Sequence, residues 1–333
     1  MKQSIQESDV VPALLPTPFA VGPVNAFLIR REPLTLVDTG PKDDRAYEAL
    51  ASILRGHGVE MSDLQAILLT HGHVDHIGLL SRIADASGAS VYAHPYVASQ
   101  CTKFEQDHEH ARRFLSEILR EFGAPPKMIQ AALRESETVR TYASFAPVTH
   151  VVNDQDAMIG FTAYHVPGHS PSDTLFVDHG SGIAFTGDHI LKGVNPNPLI
   201  RRPRPEQPRP KSLLEYRASL LRSRSLDLRV CYPGHGDPIR DHRAAIDRIL
   251  QRQDRRTSQV RELLTHRDLT PFELSAALFP KLDPGHTYFG LSVAVGHLEI
   301  LEEDNEATAE LRDGVLHYTS RSPYQKDRTH AAQ

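Results

Sequence analysis

The chain has 333 residues, 40% hydrophobic and 24% charged, enough for one large globular domain or one large and one small. A formal net charge of -5 gives no general attraction to nucleic acid or an anionic membrane, so a polyanion would need a local patch. Two cysteines, Cys101 and Cys231, are too few for a disulfide framework and fit a reducing compartment. Acids and prolines interrupt the opening "MKQSIQESDVVPALLPTPF", where a secretion signal needs an apolar core of about 7 to 15 residues. No apolar run approaches the roughly 18 residues of a membrane span. The expectation is a cytoplasmic protein with no membrane contact.

In chain order, short Val-, Ile- and Leu-rich runs alternate with helical patterns, which predicts an α/β or α+β arrangement. Strands are expected over 26–30, 34–38, 66–70 and 90–94. Between them, "DDRAYEALASILRGHG" and "GLLSRIADASG" read as helices closed by glycine. From 102 to 123, Phe104, Ala111, Phe114, Leu115, Ile118, Leu119 and Phe122 fall at helical spacing, with Gly123 placed as a C-terminal cap. A second helix can start behind the prolines of "PPKMIQAALRESETV". The two make a helical hairpin at about 100–145, read as an insert in the α/β domain. Further strands are expected over 162–166, 174–177, 182–186 and 228–232. "NPNPLIRRPRPEQPRPK", 195–211, is too proline-rich for a regular element. A helix follows from about 241 to 264, then a small final unit. The division expected is a main domain at 12–245, a C-terminal domain at 246–320 and a flexible tail at 321–333.

"AILLTHGHVDHIG", residues 66–78, crowds His71, His73, Asp75 and His76 just past a strand end. His71 and His73 are two apart and can point the same way, while Asp75 and His76 can face a second position, so two metals can be held. Three further stretches share the grammar of strand, tight Gly or Pro turn, then ligand: "YHVPGHS" with His169, "IAFTGDH" with Asp188 and "VCYPGHGD" with His235. Such loops can converge at one edge of a sheet. There is no CxxC, and imidazole and carboxylate ligands suit a catalytic site with open positions rather than a structural zinc module. A lone histidine is more often a satisfied core residue, and the chain has 19. His94, His165 and His189 lie near the motifs without sharing their pattern. Asp38 in "LVDTG" is either a turn cap or a group that orients a ligand from behind.

"THGHVDHIG", "VPGHS", "FTGDH" and "YPGHG", in this order, resemble the motifs of the metallo-β-lactamase superfamily, an αββα sandwich, over about 12–245 apart from the helical insert. The resemblance implies one metal on His71, His73 and His169, a second on Asp75, His76 and His235, and Asp188 bridging them. An aspartate in the bridging place is similar to the glyoxalase II, lactonase and nuclease branches and unlike true β-lactamases. Diiron oxygen reductases of the family carry glutamate where this chain has His73; a mononuclear iron persulfide dioxygenase is a minor alternative. Zinc is the first choice of metal, and the ligand types also suit iron or manganese. The chemistry implied is a water shared by two ions, acidified to present hydroxide at neutral pH, with Asp75 or Asp188 taking the proton. The substrate expected is a thioester, ester or lactone of a small organic acid, an anionic acyl compound.

The tail from "LTPFELSAALFP" through "FGLSVAVGHLEILEED" to a two-strand hairpin is similar to the winged helix of one branch, which includes a single-stranded RNA endonuclease and acyl-carrier thioesterases. The end of its second helix, read as exposed, carries Glu299, Glu302, Glu303 and Asp304, which would repel phosphates, so packing or homodimer formation is favoured over RNA recognition. Arg201, Arg202, Arg204, Arg209 and Lys211 either form a solvated loop or hold an anionic group near the site. Phe114 and the hairpin's apolar stripe either pack or lid an acyl pocket, and His189 is a further candidate for substrate contact. The alternatives are an RNA endonuclease and a nucleic-acid-binding regulator with a retired hydrolase domain.

Overall fold

The strand Val24–Ile29 is buried along its whole length, and its alternation assigns each apolar residue to one of two cores: Val24, Ala26 and Leu28 to one, Phe27 and Ile29 to the other. The protein is described by a computed structural model for residues 4–193, 196–203 and 206–321, with the side chains of 105–107 left aside. The described residues fall in two compact units, drawn from Met1–Asp107, Thr138–Pro196 and Ala218–Asp247, and from His108–Glu137, Asn197–Arg217 and Arg248–Gln333.

In the first unit, a six-stranded sheet runs in spatial order β1 (Val10–Leu15), β2 (Val24–Ile29), β3 (Thr35–Val37), β4 (Ala66–Leu68), β5 (Ser90–Ala93) and β6 (His150–Val151). β1, β2 and β3 are antiparallel, whereas β3 to β6 are parallel. A second sheet contains β7 (Ala157–Met158), β8 (Phe161–His165), β9 (Thr174–Asp178), β10 (Ile183–Gly187) and β11 (Val230–Pro233), with only β10 and β11 parallel. Phe27, Ile29, Val37 and Leu68 of the first sheet meet Phe161, Ala163, Phe176, Phe185, Val230 and Tyr232 of the second in one buried core. On the other face of the first sheet, Leu28, Leu36, Ile67 and Val91 bury Leu50 and Leu54 of α1 (Asp44–Gly56) together with Leu80 and Ile83 of α3 (Leu80–Ser87). A single turn, α2 (Val74–Ile77), lies between those helices in the chain.

The hairpin helices α4 (Pro95–Glu121) and α5 (Pro126–Arg140) depart from the expected insert. Leu115, Ile118, Leu119, Phe122, Ile129 and Ala132 cluster with Ile200, Leu291 and Val295, so most of the hairpin belongs to the second unit. That unit also draws on α6 (Ser212–Arg224) and α7 (His242–His266), and contains α8 (Pro271–Leu278), α9 (Thr287–Glu303), β12 (Ala307–Arg312) and β13 (Val315–Ser320). Its second cluster joins Val260, Leu264, Leu274, Leu298, Leu301, Ala307 and Tyr318. The Thr270 hydroxyl accepts from the Glu273 amide while the Glu273 carboxylate accepts from the Thr270 amide, the box expected at the start of α8.

Three further differences from the expectation appear. Glu299 is buried rather than exposed, because Arg209 of the proline-rich loop donates to it at 2.6 Å, and Lys211 reaches Glu303 at 3.1 Å. β1 was not foreseen, since Pro12 interrupts its pattern; proline is tolerated there because β1 is an edge strand. α6 was also missed, its buried Leu213, Tyr216 and Leu220 being offset by an exposed Leu221. The described residues of 195–211 contain no regular element, as the prolines require, and Arg204 lies outside the description, as does nearly all of the tail expected at 321–333. No helix among the described residues is long and apolar enough to cross a membrane.

Candidate metal centre

Seven candidate ligand side chains from four loops of the first unit converge. His71 and His73 follow β4; Asp75 and His76 ride on α2; His169 sits between β8 and β9; Asp188 follows β10 and His235 follows β11. Since β4 belongs to the parallel part of one sheet and β10 and β11 form the parallel pair of the other, three of these loops leave the carboxyl ends of parallel strands, where open α/β sheets place ligands. Ligand atoms of His71, His73 and His169 lie within 4.8 Å of one another, as do those of His71, His76 and Asp188, and those of Asp75, His76 and His235.

Asp188 joins the groups. Its Oδ2 is 3.5 Å from His169 Nε2 and 3.6 Å from His235 Nε2, while its Oδ1 is 3.5 Å from His76 Nε2. His73 Nδ1 and His169 Nε2 approach to 2.9 Å, and His235 Nε2 is 3.3 Å from Asp75 Oδ2. The turns that carry these side chains leave no room for a Cβ. One built on Gly187 would lie 2.5 Å from Thr70 Oγ1, and one on Gly234 would lie 2.4 Å from Asp188 Oδ1. Gly187 of "TGD" and Gly234 of "YPGHG" are therefore demanded by close approach.

Hydrogen bonds behind the ligands fix which nitrogen faces the centre. Asp38, buried at φ 56°, accepts from the Thr70 amide at 2.8 Å, the Thr70 hydroxyl at 2.7 Å and His76 Nδ1 at 2.8 Å. A left-handed non-glycine residue costs on the order of 1 to 3 kcal/mol, tolerated here because the carboxylate collects three donors. With its own proton given to Asp38, Thr70 Oγ1 accepts from His71 Nδ1 at 3.1 Å, and His235 Nδ1 donates to the Pro23 carbonyl at 2.7 Å. In each case Nε2 is left to point inward. His71 Nε2, His76 Nε2, His235 Nε2 and Asp188 Oδ1 are buried and have no hydrogen-bond partner. Orphaned acceptors of this kind, converging from three loops, fit a bound cation.

The electrostatics agree. Burial, then the neighbouring His76, pushes His71 well below its usual pKa, and burial with His169 takes His73 down to about 3. Burial opposes charging of His76, but Asp188, Asp75 and Asp38 outweigh it and raise its pKa well above the usual value. Burial would likewise raise Asp188, but His76 and then His235 and His169 hold it well below the carboxylate range. Without a metal, protons therefore occupy the carboxylate-rich side, and a divalent cation competes for the same place.

The remaining candidates have other surroundings. His189 is fully buried, its Nε2 donating to Ser223 Oγ on α6 at 2.9 Å, so it braces a helix and presents no exposed edge to a substrate. His94 and His165 stack at 4.0 Å, and His165 Nε2 donates to the Pro171 carbonyl beside His169. In the second unit, Arg201 donates to Ser212 and pairs with Glu215, Arg202 is exposed, and Phe114 packs against the core of that unit. Sequence reasoning missed Thr70, whose only signal was its place before "HGH". It also missed Ser172, whose hydroxyl accepts from the Gly72 amide at 3.1 Å and so ties the His169 loop to the His71–His73 turn.

A family model described as the metallo-beta-lactamase superfamily matches residues 20–235. A probable metallo-hydrolase, YqjP of Bacillus subtilis, is 31% identical over 316 residues, covering 93% of this chain and 97% of its own length. The atrochrysone carboxyl ACP thioesterase of Aspergillus fumigatus is 25% identical over 229 residues, 68% of this chain and 54% of that protein, so the chain spans about half of this relative. Among solved structures, the metallo-beta-lactamase family protein TTHA1429 of Thermus thermophilus matches with a TM-score of 0.79 at 25% identity, covering 94% of this chain and 99% of that one.

Proposed function

The chain belongs to the metallo-beta-lactamase superfamily and is a metal-dependent hydrolase of that fold, and we propose that it holds two divalent ions, zinc first, and cleaves a thioester, ester or lactone of a small organic acid. The observation that carries this reading is Asp188, whose two carboxylate oxygens face ligands of both groups. His71, His73 and His169 would hold one ion and Asp75, His76 and His235 the other, with Asp188 between them. When bound, such a pair supplies Lewis acidity for the acyl oxygen and a water acidified towards neutral pH.

The chain's own residues do the rest. Asp75 and Asp188 are kept ionised by the imidazoles around them, and one or the other takes the proton released as water attacks. Asp38, Thr70 and the Pro23 carbonyl keep three imidazoles in the tautomer that turns Nε2 inward. A leaving thiolate needs little acid help. The thioesterase relative supports acyl over phosphodiester chemistry. So does α9, which is buried from Leu291 to Ser292 and from Ala294 to Leu301 and therefore offers no long face to a nucleic acid.

The test compares acyl-thioester and lactone panels with single-stranded RNA under rising ionic strength. An acyl hydrolase gripping one anionic group responds weakly to salt. RNA cleavage whose log kcat/KM falls with log salt by about 0.7 per contacted phosphate, lost in Asp188→Ala, would replace this reading with the nuclease.

A further inference from the structure

The turn that carries His235 has two glycines, and neither can be exchanged for a stiffer residue without cost. Gly234 is pressed against Asp188 and His76, and Gly236 sits at φ 79°. A glycine-flanked turn is intrinsically loose, so the precision of His235 must come from outside the turn. It comes from the start of β2. Asn25 is 6% exposed, a polar side chain in an otherwise apolar strand. Its Nδ2 donates to the Pro233 carbonyl at 3.0 Å and to the Gly236 carbonyl at 2.8 Å, one on each side of the Gly234–His235 pair. Its backbone amide donates to the Gly234 carbonyl at 2.7 Å, and two residues earlier the Pro23 carbonyl receives His235 Nδ1.

Only a primary amide places two N–H donors on one nitrogen at this reach; aspartate would set a carboxylate against two carbonyls, and serine has a single donor. No hydrogen bond among the described residues joins Asn25 to His71, His73 or His169, which are held by Thr70 and by the Ser172 tie between their loops. We propose that Asn25 is a positioning residue for one metal of the pair: its amide clamps the 233–236 turn so that His235 Nε2 faces Asp75, and it acts on the Asp75, His76 and His235 group without acting on the other. This rests on the two-metal reading above.

The experiment titrates chelator-stripped full-length protein with Zn2+ against a chromophoric competitor, and with Co2+ followed by its visible ligand-field bands. Wild type should take two equivalents. In Asn25→Ala one equivalent should bind as in wild type and the other about 10- to 100-fold more weakly, the usual effect of losing a group behind a ligand. Asn25→Ser, which keeps one donor, should fall between them and serves where Asn25→Ala folds poorly. Thermal unfolding of the stripped variants reads any general loss of stability separately. Two equivalents at wild-type affinity in both variants, or equal weakening of both, overturns the role of Asn25. A single equivalent in wild type itself overturns the two-metal reading, and the inference with it, before any variant is made.

Discussion

The two units put buried histidines and carboxylates to different uses. In the first, four buried atoms of His71, His76, His235 and Asp188 have no hydrogen-bond partner, although the far side of each of those imidazoles is firmly bonded. In the second, Glu299 is met by Arg209, the Tyr288 hydroxyl donates to the Ile200 carbonyl, and His297 Nδ1 lies 2.9 Å from Thr257 Oγ1. Buried polar groups that are bonded locally hold a fold together. Groups bonded on one side and convergent on the other are prepared for a ligand that carries charge.

The largest break in that contrast should come from Asp188→Ala or His169→Ala. Each removes a proposed ligand, worth several kcal/mol of charge stabilisation, so kcat on any acyl substrate should fall on the order of a thousandfold or more. Full activity in both variants would remove the centre from the chemistry. Metal content should fall in parallel, measured by elemental analysis of the purified protein.

Phe122→Ala acts on the other side of the comparison. The ring is fully buried in the core formed by Leu119, Ile129, Leu291 and Val295, so truncation should cost about 3 to 5 kcal/mol of stability. Chemical denaturation measures the loss, and the metal equivalents bound by the folded protein should not change.

His297 gives a smaller effect with a defined sign. Burial, reinforced by Arg256 and Arg217, takes its pKa from 6.5 to about 3. Between those values the unfolded chain binds a proton that the folded one refuses. Stability is therefore present above pH 6.5 and lost on acidification, by up to about 1.4 kcal/mol per pH unit for this one group. Unfolding of metal-free protein at pH 6.5 and pH 5 should show a loss in wild type that exceeds the loss in His297→Gln by about 2 kcal/mol; identical losses would show that His297 charges freely in the folded state.

The smallest change expected is Lys211→Ala, which removes a solvent-exposed pair with Glu303 and should shift stability by less than about 1 kcal/mol. A larger loss would mean that the proline-rich loop holds α9 more tightly than its buried Arg209–Glu299 pair accounts for.

The cluster of candidate metal ligands was legible because chemistry compresses it. Asp188 and His235 stand one and two residues past strand ends, each beside a glycine that close approach requires, and His71, His73, Asp75 and His76 crowd into six residues soon after β4, so the spacing of "HGHVDH", "PGH" and "TGD" survives in one dimension. Strands with uninterrupted apolar runs, such as β4 and β10, were legible for the same reason, their burial being written residue by residue. Asp38 was read from sequence only as either a cap or an orienting group, and its three bonds to Thr70 and His76 span 32 and 38 residues. Asn25 lies more than 200 residues from the turn it clamps. The apolar stripe of α4 and α5 announced that it would be buried, but not that Ile200, Leu291 and Val295 would bury it. Periodicity records which face of an element leaves water, because that depends on the element alone. Which distant surface receives that face depends on a contact between two elements, and this the chain decides only on folding.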